Sequence, residues 1–192
     1  KARRLQAATQ RSAGAERDTP RFGRQSYWES LYETDNAGVE EDDGFEWFCS
    51  YDMLKPFLDE FGLQPAFARC SGRQPRVMVA GCGNSRLGID LYDDCLDNSG
   101  RVSIDIWNVD YASSAIEGSR KAANDRSMKH VVADLCALPQ DTFQDASFDL
   151  IIDKGTLDSL ACTGNDAVEA VGKEFSRVVD VGGRVMVVSG VA

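Results

Sequence analysis

Residues 77–88 read VMVAGCGNSRLG, and this stretch decides the fold. Four apolar residues, Val77 to Ala80, have the length of a buried strand. They run into Gly81-Cys82-Gly83 and then straight into a helical pattern, Arg86 to Leu96. Glycines at such a turn let the backbone reverse tightly and let a ligand approach with no Cβ in the way. The helix N-terminus beyond them offers N–H groups to a carboxylate or phosphate. A dinucleotide fingerprint places a third glycine where this chain has Arg86, which counts against a nicotinamide cofactor. Taken alone, a Gly-x-Gly turn is also compatible with an ordinary loop, so its meaning depends on its surroundings.

Downstream, strands and helices alternate: a strand from Ile104 to Val109, a helix from Ser113 to Asn124, and a strand from Lys129 to Ala133. A loop through Pro139, a strand from Phe148 to Ile152, a helix from Asp166 to Val179 and a strand from Arg184 to Ser189 complete the series. That alternation predicts an α/β fold, a Rossmann-like, doubly wound, mostly parallel sheet with helices on both faces. Upstream, Arg24 to Glu33 (RQSYWESLYE) predicts a short helix, followed by the acidic loop TDNAGVEEDDG. A second helix is expected from Phe45 to Phe61, with Pro56 as a kink, and a linker from Gln64 to Pro75. The expected organisation is a basic, disordered tail over 1–21 and one domain over 22–192. Residues 22–75 of that domain form an N-terminal helical lid and 76–192 the cofactor-binding core.

The strand ends carry the chemistry. The second strand finishes in Val109-Asp110-Tyr111, beside the glycine turn in this topology. Asp110 can accept hydrogen bonds from both hydroxyls of a ribose, and Tyr111 can lie against a purine; Asp110 also suits a helix cap before Ala112-Ser113-Ser114. The third strand finishes in Ala133-Asp134-Leu135, where an acid can take the exocyclic amine of adenine and Leu135 can bracket the ring. Three strand ends bearing Gly-x-Gly, Asp and Asp-Leu form an adenosine site without a phosphate clamp, which suits S-adenosylmethionine better than a nucleotide.

The bulk numbers narrow the function. The chain has 192 residues, 43% of them apolar, enough for one core, and a net charge of −10. Residues 1–24 carry seven Lys or Arg against Glu16 and Asp18, so the remainder is strongly acidic. An acidic body repels nucleic acid and attracts a basic protein, although acidity also serves plain solubility. Six dispersed cysteines with no C-x-x-C pair, and His130 as the single histidine, predict neither a metal site nor disulfides. No apolar run has the length of a membrane span. The opening KARRLQAATQRSAGAER fits a cytoplasmic protein with a basic tail, and also a mitochondrial targeting composition.

Beyond the fourth strand comes FDLIIDKGTLDSL, residues 148–160. GCGNS, VDYAS and DKGTLDSL together resemble the class I, seven-β-strand S-adenosylmethionine-dependent methyltransferases of eukaryotes that modify protein lysines, such as those of elongation factor 1A and citrate synthase. YWESLY and FEWF resemble that family's aromatic N-terminal elements, and the likeness runs from about Phe22 to Ser189. The resemblance implies that Trp28 and Tyr32 on the first helix, and Trp47 on the second, close over the cofactor. It also implies that Gly81, Asp110, Tyr111, Asp134 and Leu135 contact the cofactor and that Lys154 lines its methionine end. A sulfonium is attracted to aromatic faces, which favours a cofactor role for the three aromatics over the alternative, the plain core of a helical lid. The family's sixth and seventh strands have no counterpart before Ala192. Asp153 and Asp158 flank the expected reaction centre, and no catalytic residue is assigned. A protein lysine is the expected acceptor; the alternatives are a small-molecule methyltransferase with the same core, or a non-catalytic cofactor-binding module. An N6-adenine or glutamine enzyme is disfavoured, because Asp-Lys-Gly-Thr stands where those carry N/D-P-P-Y/F.

Overall fold

The computed structural model describes residues 20–38 and 46–190. The expected basic tail up to residue 19, Phe45 of FEWF and most of the acidic loop lie outside the described residues. A 3-10 turn, Arg21–Gly23, leads into α1, Gln25–Gly38. Then come α2 (Tyr51–Phe57), a π-helical turn (Leu58–Leu63) and α3 (Gln64–Arg69). The α/β part follows as β1 (Arg76–Ala80), α4 (Leu87–Asp94), β2 (Asp105–Asp110), α5 (Ser113–Ala123) and β3 (Lys129–Val132). It continues through β4 (Phe148–Lys154), α6 (Thr156–Ala161), α7 (Asn165–Val178) and β5 (Val179–Val188).

The five strands form one parallel sheet in the order β3-β2-β1-β4-β5. Parallel strands need crossovers, and the helices supplied by those crossovers cover both faces. On one face Val77, Val79, Ile106, Leu150 and Ile152 pack with Leu54, Leu58 and Leu91. On the other, Met78, Val109 and Ile151 pack with Val171, Phe175 and Val178 of α7. Each such fully buried aliphatic side chain contributes roughly 1.5–3 kcal/mol. The chain winds outward from β1 to β3, then crosses back to β4 on the other side of β1. That reversal opens a crevice above the carboxyl ends of β1 and β4.

The sheet strands begin or end within about two residues of expectation, save β5, which starts at Val179, directly after α7. The N-terminal part departs further. The helix expected over Phe45 to Phe61 starts only at Tyr51, and residues 47–49 are bends, so Trp47 is not helical. Phe48 has φ +65°, which a right-handed helix cannot hold. The linker expected over Gln64 to Pro75 is helical to Arg69. Pro65 fits because it stands in the first turn of α3, where no N–H is needed. Pro56 stands inside α2, and the buried Leu58 and Leu63 of the π turn that follows hold the segment on the sheet. The first helix runs past Glu33 to Gly38, and α6 was not expected at all.

Candidate active site

The crevice holds about 870 Å³ of space, its mouth included, and is built from the carboxyl ends of β1 to β4, the turn after β1, α6 and the aromatic segment. Trp28, Tyr32, Trp47, Gly81, Asp110, Tyr111, Asp134, Leu135 and Lys154 all line it. Residues scattered over more than a hundred positions therefore meet in one cleft.

Its floor is the glycine turn. Gly81 and Gly83 have φ +60° and +51°, and a Cβ on Gly83 would sit 2.6 Å from the Tyr32 hydroxyl oxygen. Asp110, only 5% exposed, fastens the turn to β2: Gly83 N–H donates to Oδ2 and Ala112 N–H to Oδ1, each at 2.9 Å. Burial pushes its carboxyl up to about 6, against the pull of those two N–H groups. Each oxygen retains acceptor capacity towards the cleft. The capping role that the sequence also allowed falls elsewhere, since towards α5 Asp110 accepts only from Ala112 N–H, the residue before the helix. At the end of β3, Leu135 is buried and Asp134 is exposed, its Oδ1 accepting from Cys136 N–H at 2.8 Å.

The roof is aromatic. Trp28 and Tyr32 are each 7% exposed and stack with centroids 5.8 Å apart, and Trp47 meets Trp28 edge-on at 6.3 Å. Phe22, which the sequence did not single out, packs 6.1 Å from Trp28 and accepts the indole N–H on its carbonyl at 2.7 Å.

Two glutamates bind this roof to the core, and neither was expected. Glu29 of α1 caps α5, accepting from Ser113 N–H at 2.8 Å and Ser114 N–H at 3.0 Å as well as from both serine hydroxyls. Burial works to raise its carboxyl, but the hydrogen bonds from Ser114 and Ser113 prevail and hold it below the ordinary range. Glu46 sits on the start of α4 and also accepts from Lys154. The N-terminus that the sequence offered to an exogenous anion is thus taken by a side chain of the protein itself. An acid interleaved in each aromatic motif was the available signal.

Asp153 does not reach the cleft. It is fully buried and turns back to α6, accepting from Leu157 N–H at 3.3–3.4 Å. Burial pushes its carboxyl up to about 7, and the nearby charge of Asp158 adds to the rise. Asp158, on α6, accepts on Oδ1 from the hydroxyl of Ser189, just past β5, at 2.8 Å. Among the described residues all six cysteines are free thiols, no group of three or more His, Cys, Asp or Glu is placed to hold a metal, and no helix is long and apolar enough to cross a membrane.

A glycine cradle, a buried carboxylate, an aromatic roof and a helix N-terminus already occupied by Glu46 accommodate an adenosine bearing a sulfonium and leave no seat for a polyphosphate. Fold and site together define a class I, S-adenosylmethionine-dependent methyltransferase domain. Residues 73–192 match the methyltransferase domain family, and the chain belongs to it, with S-adenosylmethionine as its cofactor. It is 31% identical over 165 residues to the methyltransferase srdJ of Neurospora crassa, covering 82% of this chain and 62% of that protein. It is 30% identical over 172 residues to the eEF1A lysine and N-terminal methyltransferase of mouse, covering 88% of this chain and 22% of that one. The chain therefore spans less than two thirds of the length of these curated relatives. Among solved structures it resembles phosphoethanolamine N-methyltransferase 2 of Haemonchus contortus, with a TM-score of 0.59 at 15% identity, covering 86% of this chain and 35% of that one.

Proposed function

We propose that this chain is the cofactor-binding part of an enzyme that transfers a methyl group to a lysine ε-amine of a protein. The observation that carries the acceptor class is the similarity to eEF1A lysine and N-terminal methyltransferases over 88% of the chain, a span too long for the α/β core alone. An acidic body supports a basic protein partner, because charge of opposite sign steers encounter.

The bound cofactor would supply an electrophilic methyl to a lysine amine that has first lost one proton to bulk solvent. Trp28, Tyr32 and Trp47 exclude water from the cleft, and their faces suit a sulfonium. A lysine amine ordinarily titrates near about 10.4 and must arrive neutral, which a dry aromatic roof favours. Asp110 would take the ribose hydroxyls, Asp134 and Leu135 the adenine and Tyr111 its face, with Gly81 lining the same cleft.

The test is to incubate the full-length protein with methyl-labelled cofactor and cell extract. Label is expected in a protein band and is expected to vanish when the target lysine becomes arginine, which keeps its charge but cannot readily offer a neutral nitrogen. Label found only in the small-molecule fraction would overturn the acceptor class, and no label anywhere would overturn the catalysis.

A further inference from the structure

One carboxylate joins the aromatic roof to the floor of the cleft. Glu46 Oε1 accepts from Arg86 N–H at 2.7 Å, and both its oxygens accept from Ser85 Oγ, at 3.0 and 2.9 Å. Oε2 also accepts from the Lys154 ammonium at 2.5 Å, and the same ammonium donates to the Trp47 carbonyl at 3.1 Å. The Lys154 side chain is 5% exposed and that of Glu46 24%. An ammonium buried so deeply is tolerable only with a paired charge, and Glu46 is that charge. Arg86 N–H and the Lys154 ammonium take one Glu46 oxygen each, and the single Ser85 hydroxyl proton lies between the two. Lys154 has committed two of its three N–H donors and keeps one. Ser85 and Lys154 both line the cleft beside the glycine turn.

We infer that Glu46 is a positioning residue for the cofactor: it holds the Lys154 ammonium at the cleft wall, with one N–H to spare for the carboxylate of the cofactor's amino-acid arm. Because the Trp47 carbonyl shares that ammonium, the same group also fixes the aromatic loop. Lid geometry and the charge that reads the amino-acid arm are then set together. The inference rests on the cofactor assignment and is independent of the acceptor, so it survives if the lysine reading fails.

Two ligands separate positioning from mere structural support. S-adenosylhomocysteine carries the amino-acid arm; 5′-methylthioadenosine keeps the adenosine and sulfur but lacks the arm's charges. By calorimetry on the whole chain, Glu46→Gln is expected to weaken S-adenosylhomocysteine about tenfold, the scale of a charge-assisted hydrogen bond, and to leave 5′-methylthioadenosine within about twofold. Lys154→Met is expected to show the same selectivity, and the double variant to lose no more than Lys154→Met alone. Should Glu46→Gln not fold, Glu46→Asp carries the comparison, keeping the charge on a shorter arm. Equal losses for both ligands would reduce Glu46 to a structural clamp and overturn the inference. Unchanged affinity would overturn it too, and tighter S-adenosylhomocysteine binding would show Glu46 competing for the seat.

Discussion

Gly81 and Thr156 leave no room for a methyl group between them: a Cβ on Gly81 would lie 1.9 Å from Thr156 Oγ1. The threonine hydroxyl is held there by the carbonyls of Ala80 and Gly81, at 3.3 and 3.4 Å, so α6 is pinned to the turn after β1. Gly81→Ala combines this clash with the cost of φ +60°. It is expected to destabilise the fold by about 2–4 kcal/mol in urea unfolding. Adding Thr156→Ala removes the hydroxyl and γ-methyl and is expected to recover only part, because the backbone strain remains.

Asp110 links cofactor affinity to pH. As an acceptor for ribose hydroxyls it acts as the carboxylate, and burial places its titration at about 6. The affinity for S-adenosylhomocysteine is expected to be level at and above about pH 7 and to fall as the pH drops through about 6. Asp110→Asn is expected to bind more weakly at neutral pH and to lose that dependence. A pH profile shared by the two proteins would show that another group titrates.

Asp153 makes a separate claim about stability. Its folded value, about 7, lies above the ordinary carboxyl value, so the folded state binds the proton more tightly than the unfolded one. Its contribution is therefore fully favourable at low pH and is lost as the pH rises through about 7. Asp153→Asn, neutral throughout, is expected to match the parent near about pH 4 and to exceed it by about 1–4 kcal/mol near about pH 8. Paired urea titrations at the two values check the sign.

Trp28 tests whether the aromatic roof serves the ligand. Its ring stacks on Tyr32 and its N–H is held by the Phe22 carbonyl, so truncation opens the cleft from above. Trp28→Ala is expected to weaken S-adenosylhomocysteine by about 1–2 kcal/mol, beyond any loss in thermal stability. Affinity unchanged in a folded variant would return the aromatics to a purely structural role.

The core was legible because its signals are local. Short apolar-rich segments punctuated by Gly81-Cys82-Gly83, Asp110 and Asp134 specify buried parallel strands with chemistry at their ends, and the cleft gathers those ends. The lid was harder to read. Trp47 and Phe48 stand at helical spacing with Tyr51 and Leu54, yet Phe48 takes a positive φ while Glu46 is drawn to Ser85, Arg86 and Lys154. A tertiary pairing of that kind overrides local propensity and leaves no periodic trace. Asp153 and Asp158, adjacent to the cleft by position alone, could not be told apart until the backbone showed that one turns into the core.

The Glu46–Lys154 pair joins residues 108 positions apart. During synthesis, the aromatic segment leaves the ribosome well before β4, which supplies its anchor. Trp28, Tyr32 and Trp47 then have no finished sheet to cover, and closing so long a loop is slow and entropically costly. The first-made part of the site is the last to dock, and a nascent chain carries its most aromatic surface exposed for the longest time.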